Sequence, residues 1–330
     1  MERLKHYING DWLEPESEEF TDVINPSTGE TISKVSEATD REIDRAFEAA
    51  DSAFEDWKKA PAPERVRYLF DAIEVLRDRR DEIGKLITLE NGKPLSDGKG
   101  EIDWTTDVLE FFAEEGKRIS GEVVPRNQEG ARSFVIKQPL GTIVAIGPWN
   151  FPVDLLIWKI APALAAGNAV VIKPSQETPM AITKVVKAFD QVGLPAGVLN
   201  MVHGSGRETG DKLVKDKRVD KIAFTGSTAV GKHIIRQSAS TLSETSMELG
   251  GHAPFVVTKN GDLDKAIPEG IRRCFSHAGQ ICHSVNQIVL EEPIAEEFIE
   301  RFVAGTEDLV VGDGIKNPNA DLGPLTTEAG

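Results

Sequence analysis

Apolar residues along this chain change their period twice. Between about residues 40 and 118 they recur three and four apart. Ile43, Ala46, Phe47, Ala50, Phe54 and Trp57 make one stripe, and Val66, Leu69, Phe70, Ile73 and Leu76 make a second. This spacing predicts amphipathic helices. The first is capped by Asp40, the second follows Pro61 to Pro63, and a third runs from about Asp97 to Arg118. Ahead of them, Asn9-Gly10 and Asn25-Pro26-Ser27-Thr28-Gly29 are turn signals, so the N-terminal region reads as strands and turns. In the middle, short apolar runs at 142–146, 169–172, 198–202 and 222–224 alternate with helical patterns at about 178–192, 207–216 and 227–239. Such alternation predicts βαβ units around a buried parallel sheet, which binds ligands at the carboxyl ends of its strands. After Glu248 the pattern restarts, with strands at 254–257 and 288–290 and helices at about 262–276 and 293–304. It reaches Leu325-Thr326-Thr327-Glu328-Ala329-Gly330 with no closing element in view. The segment 119–140 fits neither pattern. It is polar, with alternating Ser133-Phe134-Val135-Ile136-Lys137, and reads as a projecting β-hairpin, either an ordinary surface feature or an oligomer contact.

Composition narrows the function. The chain has 330 residues, enough for two structural units, with 40% hydrophobic and 28% charged residues, as in soluble globular proteins. No apolar run approaches the ~18–20 residues of a membrane span, and none follows Met1-Glu2-Arg3-Leu4-Lys5 as a secretory signal would. The expected compartment is the cytoplasm. Net charge of -16 argues against nucleic acid and anionic membranes as partners. It fits high solubility, or a surface adapted to high salt. Two cysteines, Cys274 and Cys282, make neither a disulfide scaffold nor a zinc site, so no metal is expected. Cys274 sits within an amphipathic helix and reads as inert.

Five features carry chemistry. Cys282, in Gly279-Gln280-Ile281-Cys282, is a nucleophile if a helix N-terminus or a cation lowers its thiol pKa. Glu248, in Met247-Glu248-Leu249-Gly250-Gly251, reads as a carboxylate embedded in an apolar strand end, where desolvation makes a general base. Asn150 stands in Pro148-Trp149-Asn150-Phe151-Pro152, where two prolines fix its direction and its amide can donate to an oxyanion. Phe224-Thr225-Gly226-Ser227-Thr228-Ala229-Val230-Gly231 runs from strand to helix, a layout that cradles phosphate. It nearly spells a P-loop, but His233 stands where Ser or Thr would hold magnesium, which rejects an ATPase. Lys173-Pro174-Ser175-Gln176 ends another strand, where a lysine reaches ribose or phosphate.

Taken together, the Trp-Asn-Phe-Pro, Phe-Thr-Gly-Ser-Thr, Glu-Leu-Gly-Gly and Gly-Gln-x-Cys motifs resemble the aldehyde dehydrogenase superfamily over essentially the whole chain, in particular dehydrogenases of short semialdehydes and hydroxyaldehydes. The resemblance implies an α/β fold. A Rossmann-like cofactor domain (1–118 and 141–247) is followed by an oligomerisation hairpin (119–140) and the first part of a second α/β catalytic domain (248–330). It implies oxidation of an aldehyde to an acid with NAD or NADP, through a thiohemiacetal and a thioester on Cys282. Asn150 and the Cys282 N–H would hold the oxyanion, and Glu248 would activate water. Trp149, Lys173, Pro174, Ser175, Gln176, Gly226, Ser227, Gly231 and Leu249 would bind the cofactor, and the longer form would be a homo-oligomer.

Departures from the family pattern are also legible. Gln176 stands where NAD-preferring relatives usually carry a glutamate, which leaves NADP open. Gln287 stands where an arginine is usual, and His252 occupies a variable position. The resemblance further implies a later segment, with a Glu-x-Phe-Gly-Pro motif and the last strand of the oligomerisation domain, whose absence leaves apolar surface uncovered. Two other readings compete. One is a non-catalytic chain that binds a longer relative; the other is a thiol hydrolase pairing Cys282 with His277 or His283.

Overall fold

The computed structural model describes residues 3–126 and 128–328. Met1, Glu2, Asn127, Ala329 and Gly330, which the sequence reading places at the two ends and within the hairpin, lie outside the described residues. The chain opens with β1 (His6–Ile8), β2 (Asp11–Leu13), β3 (Phe20–Ile24) and β4 (Thr31–Ser36). The helices α1 (Asp40–Trp57), α2 (Ala62–Asp78), α3 (Arg80–Asn91) and α4 (Leu95–Gly116) follow, then a hairpin of β5 (Glu122–Val124) and β6 (Ser133–Val135). The alternating region comprises β7 (Thr142–Ile146), α5 (Asp154–Ala166), β8 (Ala169–Lys173), α6 (Met180–Gln191), β9 (Leu199–Met201), α7 (Asp211–Lys215), β10 (Val219–Gly226), α8 (Thr228–Ser238) and β11 (Glu244–Leu249). Last come β12 (Ala253–Val257), α9 (Leu263–Phe275), β13 (Val285–Leu290) and α10 (Glu292–Glu307).

Seven strands form one sheet in the order β11-β10-β7-β8-β9-β1-β2. The five from β11 to β9 run parallel, while β1 and β2 add an antiparallel hairpin to the edge. Alternation along the strands sets the layers. Ile143 and Ala145 of β7, with Val170 and Ile172 of β8, pack under α2, α4, α5 and α6. Val144 and Ile146, with Ala169 and Val171, face α1, α7 and α8. The α/β class and the four central strands agree with the sequence pattern. The Asn9-Gly10 turn joins β1 to β2, with both residues at positive φ (55° and 84°), as a two-residue hairpin loop requires.

Three local expectations need correction. Thr39, not Asp40, caps α1: its side chain accepts from Glu42 N while the Glu42 carboxylate accepts from Thr39 N, a reciprocal capping box. The stretch 207–216 is not one helix but a π turn (Gly206–Gly210) followed by the short α7. The period count also missed α3 and α5. No turn signal separates α3 from α2, and α5 is apolar almost all round, so it shows no stripe. The hairpin of β5 and β6 stands as its own two-stranded sheet, with Val123, Phe134 and Ile136 exposed. Among the described residues, no helix is long and apolar enough to cross a membrane.

Candidate active site

The sheet order reverses between β7 and β10: the chain builds β8 and β9 on one side of β7, then crosses to β10 on the other. Such a switch point leaves a crevice at the carboxyl ends of the strands. The Trp149-Asn150 loop leaves β7 there, the Gly226-Ser227 turn leaves β10, and Glu248 lies near the end of β11 opposite Thr225.

Asn150 is held on both sides of its amide. Its Oδ1 accepts from Phe151 N at 3.1 Å, and its Nδ2 donates to Gln280 O at 2.9 Å. Gln280 lies two residues before Cys282, so the donor and the thiol segment are directly joined. An amide nitrogen has two hydrogens, and one remains for a second acceptor. The Cys282 carbonyl accepts from Gly251 N at 3.2 Å. A Cβ on Gly251 would lie 3.3 Å from that oxygen, so the Gly-Gly step allows this close approach.

Cys282 follows a left-handed turn. His277, Ala278 and Gly279 have φ of 52°, 53° and 76°. For the first two residues this costs roughly 1–2 kcal/mol each. The turn buries His277 edge-on against Trp149 and Phe151, while Cys282 itself is exposed. No helix starts at Cys282. The polar group beside its Sγ is His283 Nδ1, at 3.6 Å. Cys274, by contrast, is half-buried in α9, and burial raises its thiol pKa.

Two cavities meet at Cys282. One of about 580 Å³ is lined by Glu248, Lys159, Thr225, Leu249 and Cys282. The other, of about 530 Å³, is lined by Phe151, Asp154, His277, Ile281 and Cys282. Glu248 is exposed on β11, the edge strand, rather than embedded in apolar surroundings; the open edge explains why. Lys159 is the buried charge instead. Its Nζ donates to Leu155 O at 2.9 Å and to Thr225 Oγ1 at 2.5 Å. Burial lowers its pKa to about 8, against the opposing pull of Glu248 and Asp154. Sequence reading missed Lys159 and Asp154. The signal was present: two charged residues in an otherwise apolar helix must have partners or a task.

The nucleotide-side residues surround the crevice. Ser227 caps α8 and is exposed; its Oγ accepts from Val230 N at 3.4 Å. Thr228 and Ala229, also exposed, have N–H groups without intrahelical partners, so the start of α8 can receive an anion. Gly226 and Gly231 are tight against the chain itself: a Cβ would come within 2.4 Å of the Phe224 ring and 2.7 Å of Leu249. Lys173 is buried, its Nζ donating to Pro174 O and Gly204 O at 2.9 and 3.0 Å. One of its three hydrogens remains free for a ligand. Burial lowers its pKa to about 8, opposed by Glu37. Gln176 is half-buried and donates to the neighbouring Glu177 carboxylate at 3.2 Å, and Ser175 Oγ accepts from Glu177 N. Gln287 is exposed on β13 opposite Pro254, and His252 is hydrogen-bonded to Asn286.

The aldehyde dehydrogenase family profile matches residues 12–330. The chain belongs to this family. It is 40% identical to the glutarate-semialdehyde dehydrogenase of Pseudomonas putida, over 98% of this chain and 67% of that protein. It is 39% identical to the NADP(+) succinate-semialdehyde dehydrogenase of Escherichia coli, over 99% of this chain and 67% of that protein. The crystal structure of an E. coli NADP-dependent enzyme superposes with a TM-score of 0.97 at 38% identity, over 99% of this chain and 68% of that one. The chain thus spans about two thirds of the length of these relatives. Membership of the aldehyde dehydrogenase family favours an oxidoreductase over both rival readings. The hydrolase reading is further weakened by His277, whose pKa burial and the Lys93 charge push down to about 2, leaving a poor base.

Proposed function

We propose that this chain oxidises an aldehyde to a carboxylic acid with NAD or NADP. The observation that carries the reading is the position of Cys282 between two cavities, with the Asn150 amide joined to its segment and Glu248 and Lys159 on one side. Cys282 attacks the aldehyde carbonyl, forming the C–S bond. The resulting oxyanion is held by Asn150 Nδ2 and the Cys282 N–H. Nicotinamide, when bound, would supply the hydride acceptor needed to take the thiohemiacetal to a thioester. Glu248 then takes a proton from the water that breaks the C–S bond, with Lys159 beside it as a second proton-handling group. Gly226, Ser227 and Gly231, at the start of α8, would hold the dinucleotide's pyrophosphate. Trp149, Leu249 and the Lys173-Pro174-Ser175-Gln176 turn would contact the rest of the cofactor.

In this reading residues 1–118 and 141–247 form the cofactor domain, 248–330 the nucleophile-bearing part, and 119–140 a contact in a homo-oligomer. The exposed Val123, Phe134 and Ile136 support the last assignment. The relatives' semialdehyde substrates make a short semialdehyde the first candidate.

The test is formation of reduced nicotinamide, followed at 340 nm with a panel of aldehydes and with NAD and NADP separately. Cys282→Ser is expected to abolish the signal. Glu248→Gln is expected to leave one turnover per site and stop the steady state. No signal from the unaltered chain with any pair, while nucleotide still binds, overturns the reading.

A further inference from the structure

The loop bearing Asn150 is gripped from behind by one short segment at the join of α3 and α4. Asn91 Nδ2 donates to Trp149 O at 2.8 Å, and Lys93 Nζ donates to Asn150 O at 2.8 Å. The Lys93 ammonium also lies 3.9 Å from the centre of the Phe151 ring. It pairs with Glu101 at 2.8 Å, and both side chains are 1% exposed. The other Glu101 oxygen accepts from Val153 N and Asp154 N, at 2.9 and 3.2 Å. These are open donors at the start of α5. One buried ion pair therefore holds the carbonyl of Asn150 at one end and the first N–H groups of the next helix at the other. Everything between, Asn150 to Val153, is suspended from it.

A buried ion pair is weak evidence for stability, because desolvation offsets most of the attraction and an apolar pair of similar volume often replaces it at no loss. Stability alone therefore does not account for an ammonium at this place. Fixing a carbonyl does have a consequence for the site. It fixes the peptide plane, hence the Cα–Cβ direction of Asn150, while Phe151 N holds Oδ1. One Nδ2 hydrogen then reaches Gln280 O, two residues before Cys282, and the second remains for another acceptor. We propose that Lys93, seated by Glu101, is a positioning residue that aims the Asn150 amide at the oxyanion formed on Cys282. The proposal rests on the reading of Asn150 as oxyanion donor, but its test needs neither nucleotide nor hydride transfer.

Two reactions of one thiol separate aim from reactivity. With p-nitrophenyl acetate, Cys282 Sγ bonds to the acyl carbon through a tetrahedral oxyanion, and the C–O bond breaks to release p-nitrophenolate. With iodoacetamide, Sγ displaces iodide from carbon and no oxyanion forms. Both rates would be measured in a Cys274→Ser background, which leaves one thiol.

Asn150→Ala is expected to slow acylation about 100-fold and leave alkylation within about twofold. Lys93→Met is expected to slow acylation about tenfold with alkylation unchanged, and to add nothing in the Asn150→Ala background. Lys93→Arg, which keeps the charge and the donors, should recover most of the rate. Because Lys93→Met strands a buried carboxylate, the double variant Lys93→Met/Glu101→Gln is the fold control. It is expected to remain folded by circular dichroism and still acylate slowly.

Acylation of the double variant at the unaltered rate overturns the proposal, as does equal slowing of both reactions. So do losses that multiply with Asn150→Ala, an unfolded double variant, or an unaltered chain that is alkylated but never acylated. Failure of the dehydrogenase reading would show separately, as no change at 340 nm while both thiol reactions proceed.

Discussion

The strands that carry Asn150 and those that carry Cys282 are built differently. Every residue of β7 and β8 is buried, with helices on both faces. The pair β12 and β13 is covered on one face by α9 and α10; on the other, Val256 and Val289 are 65% and 44% exposed. The oxyanion donor thus rests on a core, and the thiol on a half-covered ribbon. What registers one against the other is the edge-on packing of His277 on Trp149 and Phe151 and a few polar bonds. Asn150 Nδ2 reaches Gln280 O, Thr326 N reaches Gln280 Oε1 at 3.1 Å, and Thr326 Oγ1 reaches Asn91 O at 2.7 Å. A rigid half and a lightly held half, joined at the reacting atoms, means that damage to the first should appear as lost stability. Damage to the second should appear as lost alignment.

Of the two largest effects expected from this contrast, one is in truncation of apolar side chains. Leu164 is fully buried where α5 meets the main core. Leu164→Ala is expected to cost about 3 kcal/mol in urea denaturation, the cavity term included. Val289→Ala, on the open face of β13, is expected to cost under about 0.5 kcal/mol. Equal losses would mean that the ribbon is as well packed as the sheet, and the comparison would fail.

The other is the response to pH, where buried carboxyls beneath the sheet and an arginine-paired carboxylate on the ribbon act in opposite directions. Burial and the nearby Glu101 raise the Asp154 pKa to about 7, and burial raises that of Glu90 to about 8. Well below pH ~4 such a group is protonated in both states. As pH rises through the ordinary carboxyl value, the unfolded chain ionises first, so this contribution to stability falls until the folded pKa is passed. In the ribbon half, Arg272 and Arg273 hold the Glu269 pKa at about 2, so its contribution is present above the ordinary value and lost as pH falls. Asp154→Asn keeps the shape and removes one titration. It is expected to match the unaltered chain near pH 2–3 and to exceed it by on the order of 4 kcal/mol at pH 8. A constant difference between these pH values would show that Asp154 does not titrate in this window.

Much of this contrast was legible in the sequence. The central strands declare themselves as apolar runs between glycine, proline and lysine, and the Asn150, Lys173 and Ser227 motifs follow three of them, whereas Glu248 lies within the edge strand β11 and Cys282 precedes β13. Cys282, Glu248 and Asn150 stand out in the sequence only in combination: each motif alone reads as an ordinary core, strand-end or turn residue, and together they resemble the family pattern. The rest depends on contacts distant in sequence. Nothing near Glu248 shows that β11 is an edge strand, since an edge is a property of sheet order. Lys93 meets Asn150 across 57 residues, and Lys159 meets Thr225 across 66. Asp40 looked like a cap because it is acidic and precedes the helical stripe; Thr39 won because Glu42 could answer it in a reciprocal box.

The smallest expected effect asks whether the two halves unfold together. Ser227 caps α8 in the sheet half, and Asp262 caps α9 in the ribbon half, each accepting from a backbone N–H of the first turn. Replacing either with alanine removes the same kind of bond and should cost about 1 kcal/mol. All five tryptophans (Trp12, Trp57, Trp104, Trp149 and Trp158) lie before residue 160, so fluorescence reports the sheet half, whereas circular dichroism reports both. If the few bonds at the site couple the halves, Asp262→Ala shifts the fluorescence and dichroism transitions together, as Ser227→Ala does. If they do not, Asp262→Ala brings forward part of the dichroism change and leaves fluorescence in place. We expect the second outcome. Among the described strands, β12 and β13 pair only with each other, and their small core of Val257, Ile267 and Phe298 is separate from the two that flank the main sheet. A single coincident transition would show that Gln280 and Thr326 bind the halves more tightly than their number suggests.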